Sequence, residues 1–81
     1  MWNTRKMIHA QAKDNTGTIV FDLQLEGKKR KQSLLSRAIT AIQETGGVIR
    51  YQENGAGSWA KYRVQPGQDF AVQDQEIDWA E

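Results

Sequence analysis

The chain of 81 residues has room for one small domain and no second core, and a domain this size buries only about 60% of its unfolded surface. With no cysteine and one histidine, His9, it cannot form disulfides, thiol nucleophiles, cysteine-ligated metal sites or an all-nitrogen zinc site within one chain. The formal net charge of +1 hides an asymmetry: residues 1–67 carry all 11 Lys and Arg against five acids (net +6), whereas residues 68–81 carry five acids and no base (net −5).

Residues 5–13 read as a strand, with Ile8, Ala10 and Ala12 on one face and Met7, His9, Gln11 and Lys13 on the other. Asp14-Asn15-Thr16-Gly17 is turn chemistry. Residues 18–26 then alternate, with Ile19, Phe21, Leu23 and Leu25 expected inward and Val20, Asp22, Gln24 and Glu26 outward. After Gly27 the period becomes helical, with Leu34, Leu35, Ala38, Ile39, Ala41 and Ile42 on one stripe. The helix is expected to stop at Thr45-Gly46-Gly47. Val48 to Glu53 is a third strand, Asn54-Gly55-Ala56-Gly57 a hairpin loop, and Ser58 to Gln65 a fourth strand ended by Pro66-Gly67. Phe70-Ala71-Val72 is a candidate fifth.

The order ββαββ(β) predicts an α+β fold, one helix packed on a four- or five-stranded antiparallel sheet. Residues 1–73 are expected to form the single compact domain. Residues 74–81 form an acidic C-terminal tail, either frayed or folded back so that Phe70, Ile77 or Trp79 covers Trp59.

The helix covers one side of the sheet, and the other side inherits the more polar set. In strands three and four that set includes Arg50, Trp59, Lys61 and Arg63, flanked by His9 and Lys13 from strand one. Unpaired cations are costly to bury, so this face should meet water, a partner or the acidic tail. Cations beside an aromatic ring suit single-stranded nucleic acid, where bases stack on rings and Lys or Arg neutralises phosphates. Alternatively, Trp59 packs against the C-terminal segment or a second copy of the chain.

A second basic feature, Lys28-Lys29-Arg30-Lys31, precedes a helix capped by Ser33 or occupies its first turn if the helix starts at Gly27. Either placement opposes the helix dipole and suits contact with phosphate or another anion.

No catalytic constellation is visible. The serines lack a nucleophile-elbow context, His9 has no evident carboxylate partner, and Asp22 and Glu26 lie about 13 Å apart on an extended strand. The expectation is a non-enzymatic, cofactor-free, cytoplasmic module that binds single- or double-stranded nucleic acid or acts as a regulator. Lys28, Lys29, Arg30, Lys31, Arg50, Trp59, Lys61 and Arg63 would form its contact surface. The rival is a protein-interaction module (an adaptor, inhibitor or assembly subunit) using Trp2, Trp59 and the Phe70/Ile77/Trp79 segment as anchors, with self-association included. No apolar run in the first thirty residues is long enough for a signal peptide or a membrane span.

Overall fold

A computed structural model describes residues 7–26, 31–53 and 57–79, which form one helix packed on a five-stranded antiparallel sheet. The elements in chain order are β1 (Met7–Asp14), β2 (Ile19–Glu26), α1 (Lys31–Ile42), β3 (Gly47–Glu53), β4 (Ala60–Val64) and β5 (Val72–Gln73). Across the sheet the order is β2-β1-β3-β4-β5. Since β1 is antiparallel to both β2 and β3, those two run parallel, and α1 makes the crossover between them.

Local chemistry sets the turns. The Asp14 carboxylate accepts hydrogen bonds from the Thr16 amide (2.9 Å), the Thr16 hydroxyl (2.6 Å) and the Thr18 amide (3.1 Å). This closes the β1–β2 connection and holds the Asp14 carboxyl below its ordinary range. At the other end of α1, Gly46 adopts a φ of +75° and its amide donates to the Ile42 carbonyl at 2.7 Å, a left-handed helix stop. A Cβ at Gly46 would meet Pro66 at 2.8 Å. The Gly67 amide donates to the Gln43 carbonyl at 2.7 Å, so the loop after β4 is tied to the same helix end.

The core lies between α1 and the covered sheet face. Leu34, Ala38 and Ile42 recur every four residues along α1 and meet Ile8, Ala10 and Ala12 of β1, Ile49 and Tyr51 of β3, and Val64 of β4. Small alanines on β1, an interior strand, allow the helix to lie close above it. Phe21, Leu23, Leu35, Ile39 and Tyr62 flank this centre and stay partly exposed. Alanine at Leu34 or Ile49, both fully buried, should therefore cost about 2–5 kcal/mol in chemical denaturation. Alanine at half-buried Phe21 or Ile39 should cost less. An equal loss at both kinds of site would place the core elsewhere.

Four expectations about the secondary-structure elements need correction. Ile19 is exposed rather than inward, because the β1–β2 register shifts so that Ala12 faces Phe21 while Lys13 faces Ile19. The extra residue, Val20, is a bulge that reverses the side on which Ile19 emerges. Ala41 is exposed, so the buried helical stripe is narrower than the apolar pattern. Ser33 lies inside α1 rather than capping it, which places Lys31 in the first turn. The fifth strand is Val72–Gln73, with Phe70 and Ala71 outside it. Lys28, Lys29 and Arg30, like Trp2, lie outside the described residues.

A candidate nucleic-acid interface

Alternation within β3 and β4 brings Arg50, Lys61 and Arg63 to the sheet face opposite the helix, and Trp59, just ahead of β4, joins them. The cross-strand pairs Arg50–Lys61 and Gln11–Arg50 lie directly opposite each other there. Lys13 and His9 of β1 complete the basic set. Lys31 stands apart: its ammonium lies 5.1 Å from the centre of the Tyr51 ring, on the helix side of the sheet. It lines a groove with Gly57 and Ser58, at the end of the sheet where Trp59 emerges on the opposite side. Lys31 and Trp59 thus share an end of the molecule but not a face.

A polar chain runs across the open face. The Arg50 Nε donates to the Gln11 Oε1 at 2.8 Å, and the Gln11 Nε2 donates to the Asp22 Oδ2 at 2.9 Å. The other Asp22 oxygen lies 2.6 Å from the His9 Nε2. A carboxylate only accepts, so that ring nitrogen carries the hydrogen. His9 therefore has a carboxylate partner, contrary to the sequence reading, supplied by the neighbouring strand rather than its own. The His9 ring in turn meets Trp59 edge-on at 5.4 Å.

Hydrogen bonds from Gln11 and His9 hold the Asp22 carboxyl below its ordinary value of 3.8. A depressed carboxyl contributes stability that is complete above that value and lost as the pH falls through the folded-state value. Asp22→Asn should therefore flatten the acid side of the stability profile as the pH falls below about 5, measured by denaturant midpoints. An unchanged acid slope would show that the chain Arg50–Gln11–Asp22–His9 adds nothing.

The C-terminal segment lies on this face. After β5 the Asp74 carboxylate accepts from the Glu76 amide (3.1 Å), and the Asp74 amide donates to the Lys61 carbonyl (2.8 Å). Gln75 then acts as a strand in miniature. Its side-chain oxygen accepts from the Lys61 amide (2.8 Å) and its side-chain nitrogen donates to the Trp59 carbonyl (3.0 Å). The turn at Asp74 carries the chain over the sheet edge and onto the open face.

There Ile77 and Trp79 are buried. The Lys61 ammonium donates to the Ile77 carbonyl at 2.9 Å, and the Arg63 Nε lies 3.7 Å from an Asp74 oxygen. The Arg50 guanidinium lies 4.2 Å from the Trp59 ring centre and 4.7 Å from that of Trp79, while the Lys13 ammonium is also 4.7 Å from Trp79. The Trp79 Nε1 is buried and has no hydrogen-bond partner among the described residues. Phe70 is half exposed and sits on the helix side, beside Leu35, Ile39 and Tyr62, so it does not cover Trp59.

A groove of about 780 Å³ stays open at one end of this face, bordered by Lys13, Ile19, Val48, Arg63 and Asp78. No helix among the described residues is long and apolar enough to cross a membrane. Compared with known protein families, curated proteins and solved structures, the chain has no significant match.

Proposed function

We propose that this chain is a small cytoplasmic, non-enzymatic module that binds single-stranded nucleic acid through the open sheet face, with the C-terminal segment as an internal competitor. The observation that carries the reading is the convergence of Lys13, Arg50, Lys61 and Arg63 with Trp59 on one face. Residues 74–79 already offer these side chains what a nucleic-acid strand offers: an aromatic ring for Arg50 and Lys13, and oxygen acceptors for Lys61 and Arg63. A base stacked beside Trp59 and phosphates over Lys61 and Arg63 would satisfy the same groups. Release is eased by the Trp79 N–H, which has no partner among the described residues, since burying such a donor costs about 1–3 kcal/mol and offsets part of the benefit of burying the ring.

The test is titration of a labelled oligothymidylate and a labelled duplex into the full chain at low and moderate salt. Binding should favour the single strand and weaken steeply with salt. Absence of binding by both the wild type and a Trp79→Ala variant at low salt would overturn the reading. A protein-interaction role is the second reading, favoured by half-exposed Phe70 beside a small groove of about 260 Å³ that includes Leu35, Ile39 and Tyr62. Ile77 and Trp79, committed to the chain's own sheet, are not anchors for a partner while docked.

A further inference from the structure

The two edges of the sheet differ. On one, β5 is only two residues long, and beyond it the Gln75 side chain fills the hydrogen-bonding positions of β4. On the other, β2 is eight residues long, contains neither Lys nor Pro, and faces no further strand among the described residues. An edge strand of that length is a template for another strand unless charge, proline or a bulge guards it. The one such guard present on β2 besides its acids is the bulge at Val20, near one end. The helix lies chiefly over β1, so Phe21, Leu23 and Leu25 remain only partly buried on the covered side of β2.

We infer that β2 pairs antiparallel with β2 of a second copy about a two-fold axis at Leu23, joining two five-stranded sheets into one of ten strands. Residues directly opposite in such a pair share a face, and charge decides between the registers that use most of the strand. Centring on Asp22 sets that carboxylate against its own copy. Centring on Gln24 sets Asp22 against the partner's Glu26 twice. Centring on Leu23 sets each Asp22 against the partner's Gln24 and each Phe21 against the partner's Leu25. That register opposes a carboxylate with an amide donor on one face and stacks apolar pairs on the other. The two-fold consumes the long edge of both copies and leaves only the short, capped edges outside, so the assembly closes as a dimer rather than growing into a fibre.

Sedimentation equilibrium of the full chain, with circular dichroism to confirm folding, tests this. The wild type should show a concentration-dependent dimer below about 0.5 mM. Q24E sets a second carboxylate against the partner's Asp22 on both sides of the axis and should weaken the dimer about tenfold. Q24K sets an ammonium there and should leave the dimer as tight or tighter. A wild type that stays monomeric throughout, or a dimer indifferent to both substitutions, would overturn the proposal. The readout is mass alone, so it is separate from the nucleic-acid reading.

Discussion

Replacing Trp79 with alanine should destabilise the chain by about 2–4 kcal/mol and, at the same time, tighten its binding to single-stranded polynucleotide. The two effects have one cause. Trp79 is 9% exposed and meets both Arg50 and Lys13, so its removal strips the face of its largest cover and of two cation–ring contacts. The lower part of the range for burying a large aromatic applies, because the indole N–H is buried without a partner among the described residues. Trp79→Phe removes that donor while keeping most of the apolar area, and should lose less than half as much stability. Denaturant unfolding gives the first quantity and fluorescence anisotropy with a labelled oligonucleotide the second. In a Trp2→Phe, Trp59→Phe background, Trp79 emission should be blue-shifted from that of tryptophan in water. A loss below about 0.5 kcal/mol with water-like emission would mean that the segment does not dock in solution.

What the sequence made legible, and what it hid, follows the range of the interactions involved. Period-two alternation put Phe21, Leu23 and Leu25 on the helix side and gathered Arg50, Trp59, Lys61 and Arg63 opposite, since each strand sorts its own side chains. The bulge at Val20 broke that rule for Ile19, and nothing in the alternation marks it. The chain from Arg50 through Gln11 to Asp22 and His9 crosses three strands. The turn at Asp14 aligns β1 with β2, but the β1–β3 register depends on the length and docking of the α1 crossover. The docked segment was harder still. Ile77 and Trp79 define no period, and their position depends on the Asp74 turn and on a side-chain amide of Gln75 standing in for a strand. The acidic tail and the basic body showed that the two attract. They did not show that an indole, rather than a carboxylate, would lie against Arg50.

The stacking and phosphate contributions to binding should separate cleanly by their salt dependence. In the Trp79→Ala background, replacing Lys61 and Arg63 by glutamine should reduce the slope of log affinity against log salt by about 1.4, because each phosphate contact to a single strand contributes about 0.7. Trp59→Ala should instead weaken binding by about 1–3 kcal/mol at every salt concentration with the slope nearly unchanged, since stacking releases no counterions. Lys31 calls for a different probe. Lys31 lies across the sheet from Arg50, beside Gly57 and Ser58, so a strand leaving Trp59 reaches it only by rounding that end of the molecule. Glutamine at Lys31 should therefore flatten the salt slope for long oligonucleotides, while oligonucleotides of about four nucleotides, within the site size of a single small domain, should be barely affected. Equal loss for long and short ligands would make the helix side the primary contact surface. If binding persists with its slope unaltered after Lys61 and Arg63 are replaced, the open sheet face is not where the phosphates lie.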